Sequence, residues 1–178
     1  MANSDLISIL KRKIKNEIVN DPLIVKAIGS PNYDPSDLDY SGEDVGQNYI
    51  FSWNRNIHKI TDTITFLTIQ VNIRKYKDNW VKPQIIITIF SHNDHMILNP
   101  IDFPGIAENR NDYLSRLIDN KFNGRTTIGL PEDIEKISLL EELELSSNNE
   151  GLLNDTFAFR QLIFETKDMN YSICGNRQ

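Results

Sequence analysis

The chain has 178 residues, 39% of them hydrophobic and 25% charged, with a net charge of -6. That size and composition suit one ordinary folded domain and exclude wholesale disorder. The acidic balance argues against a general nucleic-acid binder, which is usually basic, yet leaves room for DNA passing nearby, because phosphate binding needs neutralising cations.

The lone cysteine, Cys174, rules out an intramolecular disulfide and a cysteine-based zinc site. Ser4–Asp5 is placed to cap a first helix running to about Asn20, with Leu6, Ile7, Leu10, Ile14 and Ile18 at helical spacing. The amphipathic start with internal Lys and Arg is not a signal peptide. No apolar run in the chain reaches the roughly 18–20 residues of a membrane span. Lys11, Arg12, Lys13 and Lys15 fill the remaining helix faces, either as a solvated surface or as a nucleic-acid contact. Asp21–Pro22 starts a short second helix, Leu23 to Ile28, and Gly29 stops it.

Residues 30–46 read as a long acidic loop with Asp34, Asp37, Asp39, Glu43 and Asp44. An EF-hand would need glycine and glutamate at fixed positions that this loop does not meet. Gln47 to Trp53 reads as a first strand. Ile64 to Arg74 alternates, with Leu67, Ile69, Val71 and Ile73 on one face and Thr68, Gln70, Asn72 and Arg74 on the other. Gln84 to Phe90 is apolar at nearly every position, which predicts a central strand covered on both faces. Between them, residues 75–83 read as a charged loop bearing Tyr76 and Trp80. This hairpin ends at Ser91-His92-Asn93-Asp94-His95, which is either a polar strand terminus or a small metal cluster of His92, Asp94 and His95.

Residues 97–109 form an irregular linker. Asn111–Asp112 then caps a helix from Tyr113 to Phe122, with Leu114, Leu117, Ile118 and Lys121 or Phe122 inward and Asn123–Gly124 as its stop. Thr126 to Leu130 reads as a connection and Pro131 to Glu135 as one helical turn. Leu139 to Leu145 is a strand with an acidic outer face, and Ser146 to Asp155 a polar connection. Thr156 to Lys167 is the last strand, with Phe157, Phe159, Gln161 and Ile163 on one face and Ala158, Arg160, Leu162 and Phe164 on the other. The tail from Asp168 reads as loose or partner-bound. The sum is an α+β fold: a mostly antiparallel sheet around a long central β-hairpin, with an N-terminal helix and a second helix packed on it, in a single domain over residues 1–178.

No glycine-rich phosphate loop, nucleophile motif or isolated carboxylate pair stands out, so the reading is of a non-enzyme without cofactor or metal. The order of elements resembles the tailed-bacteriophage neck proteins of the tail-completion or tail-terminator type. The resemblance rests on Leu23 to Ile28 after the first helix, on Tyr49-Ile50-Phe51, and on Phe66 to Val71. It rests also on Pro83 to His92 ending in Ser91-His92, on Arg110 to Asp119 leading into Phe122-Asn123-Gly124, and on Phe159 to Thr166.

The resemblance implies an architectural protein of the virion neck, assembled in the host cytoplasm. Copies would close a ring of about six or twelve, with portal or adaptor and tail proteins as neighbours and DNA passing through the lumen. It places Lys75, Tyr76, Lys77, Trp80 and Lys82 at a subunit or ring interface, since aromatics flanked by cations are common anchors; alternatively Trp80 folds onto its own sheet. A monomeric or dimeric adaptor of the same fold is the competing reading, and a small metal-dependent enzyme a further one.

Overall fold

The computed structural model describes residues 3–30, 43–53, 60–77, 80–133, 136–166 and 169–170. The helices are α1 (Asn3–Val19), α2 (Pro22–Ile28), α3 (Glu43–Asn48) and α4 (Arg110–Phe122). The strands are β1 (Ile50–Phe51), β2 (Thr65–Lys77), β3 (Trp80–His92), β4 (Arg125–Ile128), β5 (Ile137–Leu152), β6 (Phe157–Glu165) and β7 (Met169–Asn170). They form one sheet in the order β1-β2-β3-β6-β5-β4, with β7 pairing β3 beyond β6. Every pairing is antiparallel except β1 with β2. The fold is α+β around a long central hairpin, as the alternation predicts.

The helix stripes do what their spacing requires. Leu6, Leu10, Ile14 and Ile18 of α1 are buried. In α2, the Asp21 carboxylate accepts from the Leu23 and Ile24 amides, Pro22 occupies the first turn, and Gly29 ends the helix at φ 74°. Helix α4 begins earlier than expected. Its cap is Asn109, whose side chain accepts from the Asp112 amide, so Asn111 and Asp112 lie inside the first turn.

Several expectations are corrected. The stretch read as a loop at 75–83 is strand: β2 runs to Lys77 and β3 starts at Trp80, with Lys75 opposite Val81, Lys82 opposite Arg74, and a bulge at Tyr76. Polar residues at this hairpin end carry no alternation signal, and Pro83 falls where the outer partner of β3 changes from β6 to β7, a break where a missing N–H costs little. Strand β5 likewise absorbs residues 146–152, because polar residues on a half-exposed strand mimic a loop. The connection at 126–130 contains β4, and the tail contributes β7. Finally, the expected strand 47–53 shrinks to β1, and α3 takes residues 43–46 from the acidic loop and 47–48 from that strand, anchored by buried Val45. Asp34, Asp37 and Asp39 lie outside the described residues.

One face of the sheet carries Leu67, Ile69 and Val71 of β2, Ile85, Ile87 and Ile89 of β3, and Leu162 and Phe164 of β6. The helices cover it, and this is the main core. Among the described residues the opposite face is covered at one end, by a small aromatic core of Phe51, Phe66, Phe90 and Phe157 joined by Ile60, Ile64 and Leu153. Phe66 stacks on Phe90 at 5.1 Å between ring centres. Beyond that core the face is polar, with Gln70 opposite Ile86, Asn72 opposite Gln84, Arg74 opposite Lys82 and Glu144 opposite Glu165. Strand β3 is therefore central, but Ile86 stands half-exposed instead of being covered.

Candidate functional site

At the aromatic end of the sheet, β3 runs into a single 3-10 turn, Asn93–His95. The two histidines of the candidate cluster are held in separate structural roles. His92 Nδ1 accepts from the Asp94 amide at 3.1 Å, and its ring meets Phe157 edge-on at 5.4 Å. His95 Nδ1 lies 2.9 Å from Thr65 Oγ1, which is 2.8 Å from Ser91 Oγ, which donates to Asn111 Oδ1 at 2.6 Å. Thr65, Ser91 and Asn111 are buried. Because the Ser91 hydroxyl proton goes to Asn111, the Ser91 oxygen accepts from Thr65, and Thr65 accepts from a protonated His95 Nδ1. The chain thus fixes one tautomer of a neutral imidazole. Burial first, then the Arg110 and His92 charges, push the His95 pKa down to about 4.

Arg110 is the hub beside it. Its Nε donates to the His95 carbonyl at 2.6 Å, Nη1 donates to the Ala27 carbonyl, and Nη2 reaches the Ile97 carbonyl at 3.4 Å. One guanidinium therefore ties the C-terminus of α2, where a cation suits the helix dipole, to the turn after β3. Burial lowers its pKa to about 10, which leaves it charged at neutral pH. A second buried ion site joins α1 to the β4 hairpin: the Glu17 carboxylate pairs with Arg125 and accepts from the Gly129 amide at 2.6 Å. The sequence reading overlooked both. Glu17 was visible, since it shares the apolar stripe of Ile14 and Ile18; Arg110 had no local signal.

The basic residues of α1 do not form a free patch. Lys11 donates to the Ser52 carbonyl at 2.8 Å, and Lys13 pairs with Asp133 at 3.0 Å. Lys15 is partly desolvated, which lowers its pKa. Arg12 is exposed. A cleft of about 230 Å³ opens between the start of α4 and the β5–β6 turn, lined by Met96, Asn109, Asp112, Glu150, Leu152 and Arg160. Arg160 crosses it, pairing with Asp112 and with Glu150 at 3.0 Å, so its charge is matched within the chain.

Three exposed apolar side chains are suited to another protein. Leu152 is 74% exposed, Ile97 83% and Ile101 87%. At the other end of the sheet, Lys75, Tyr76, Lys77, Trp80 and Lys82 fall on the paired ends of β2 and β3. The register brings them together, though on strands and not in a loop. Strand β1 covers the outer side of β2 only at Leu67 and Thr68. Among the described residues no strand pairs with that side from Ile69 to Lys77. Strand β5 is covered on its outer side by β4 only as far as Leu143.

A family model named YomW matches residues 3–166. No curated protein and no solved structure matches the chain.

Proposed function

The chain belongs to the YomW family, a Bacillus phage-derived family, and is a phage-associated protein; from that premise we propose that it is a structural virion protein that forms a homo-oligomeric ring in the phage neck. The ring joins the portal or its adaptor to the tail and lets DNA pass.

The observation that carries this reading is the asymmetry of the sheet. Helices cover one face, while the other leaves Gln70, Asn72, Gln84, Gln161, Asn149 and Ser147 toward solvent. Side-chain bonds run along it: Asn72 to Gln84 at 3.3 Å, Gln84 to Glu165 at 2.6 Å, and Gln161 to Thr88 at 3.2 Å. A wall of amides and hydroxyls with exposed Glu144 and Glu165 suits a lumen that DNA must traverse without sticking, because it offers phosphates few cations. The exposed Ile97, Ile101 and Leu152 then face the neighbouring components of the neck, where they would be buried.

Native mass spectrometry across a concentration series tests the proposal. A closed species of about six or twelve copies is expected. A monomer at every concentration overturns spontaneous ring closure and favours the adaptor reading.

A further inference from the structure

A ring of one chain needs two different faces that fit each other, and the sheet ends in two unlike edges. On β2, the Leu67 amide donates outward to the Tyr49 carbonyl, while the Ile64 carbonyl bonds inward to β3 through the His92 amide. By alternation the outward backbone groups of the open stretch belong to Ile69, Val71 and Ile73. On β5, the Leu153 amide bonds inward to Phe157, and the Leu145 amide turns outward to Asn123. With the bulge between Leu145 and Ser147, the outward groups of its open stretch belong to Asn148, Glu150 and Leu152.

Long edges without proline, bulge or inward charge are avoided in free-standing proteins because they recruit another strand. Residues 69–73 of β2 contain no charge and no proline.

We propose that β2 of one copy adds to β5 of the next, antiparallel, with Ile69 opposite Leu152, Val71 opposite Glu150 and Ile73 opposite Asn148, so that the sheets of the ring form one continuous wall. This rests on the ring reading above. Three observations select it. Strands β2, β3, β6 and β5 alternate strictly in direction, so a copy repeated in the same orientation presents its β2 antiparallel to β5. The outward groups of both strands belong to residues of the helix-covered face, so a join in this register keeps the two faces of the wall continuous.

The third observation is fit at the ends. Strand β1 blocks the edge of β2 at Leu67 and Thr68, while β4 blocks β5 up to Leu143, so the open stretches meet only when slipped along each other. Such a stagger is what closing a sheet into a ring requires. In that register Lys75 and Lys77 come level with Ser146 and Glu144, and Glu144 pairs across β5–β6 with Glu165. The Lys77 register position thus comes level with the exposed Glu144, and the join covers the exposed Leu152.

The test uses the full chain with Cys174→Ser, carrying Ile73→Cys and Asn148→Cys together. Cα atoms of a directly opposed hydrogen-bonded pair lie about 5.5 Å apart, within disulfide range. Oxidation is expected to give covalent multimers that close at the size of the native ring, whereas Ile73→Cys with Asn149→Cys gives none. Ile73→Pro removes one outward N–H and leaves the β3 ladder intact, so it is expected to melt cooperatively as a monomer. A ring that persists with Ile73→Pro and shows no in-register cross-link overturns this join while the ring reading stands. A wild-type chain that never associates overturns spontaneous ring closure and the join with it.

Discussion

Replacing Arg110 by Met keeps most of the side-chain volume and removes the guanidinium, so the change isolates its hydrogen bonds. The wild-type group satisfies the Ala27 and His95 carbonyls well and the Ile97 carbonyl weakly, at 3.4 Å. An orphaned buried acceptor costs about 1–3 kcal/mol. Two such carbonyls, less the desolvation relieved when the cation leaves, give a net loss of about 2–4 kcal/mol. Urea unfolding at pH 7 measures it as a lower midpoint with unchanged slope.

The same substitution has a second readout. Arg110 is the second cause, after burial, of the low His95 pKa. In Arg110→Met that pKa should rise from about 4 but stay below 6.5, because burial remains. In Arg110→Lys it should stay low, while stability still falls, since one ammonium cannot serve three carbonyls from two segments. A loss below about 1 kcal/mol with an unmoved His95 resonance would refute the hub reading.

Neutral His95 also gives the protein an acid limb. Its folded pKa is depressed, so the unfolded chain takes up the proton first; stability is full above pH 6.5 and falls as pH drops toward 4, by at most roughly 3 kcal/mol. Urea midpoints that stay level over that window would contradict it. Glu17→Ala removes the partner of the partly exposed Arg125 and leaves the buried Gly129 amide unsatisfied, which should cost about 1–3 kcal/mol, read by thermal melting. Gly29→Ala combines φ 74° with a Cβ only 2.8 Å from Arg110 Nη1, so it should cost more than the ~1 kcal/mol of a simple left-handed penalty. His92→Ala should cost about 1 kcal/mol through the lost Asp94 bond and Phe157 contact. A stoichiometric metal present in the wild type and absent from this variant would instead revive the metal reading.

Sequence patterning carried the elements whose one face is buried. The period of Leu6, Leu10, Ile14 and Ile18, the alternation from Leu67 to Ile73, and the split faces of Phe157 to Phe164 each reflect a side-chain geometry that survives into the fold. It failed at residues 75–83 and 146–152, where the sequence is polar and shows no alternation, because a hydrogen-bond ladder leaves no mark on side-chain chemistry. The residues predicted for an interface fall on the paired ends of β2 and β3, and not in a loop.

By itself the sequence determined the α+β class, the hairpin at its centre, the caps of α2 and the acidic balance, since these depend on local spacing and composition. Only the tertiary structure decided that Thr65, Ser91, His95 and Asn111 join across the chain, and that Arg110 serves carbonyls from two segments. Tertiary structure alone also decided that β2 and β5 each keep, among the described residues, a stretch beyond the short outer strands β1 and β4 that no strand pairs. Those relations link residues far apart in sequence, and nothing in a local window encodes which strand will find no partner.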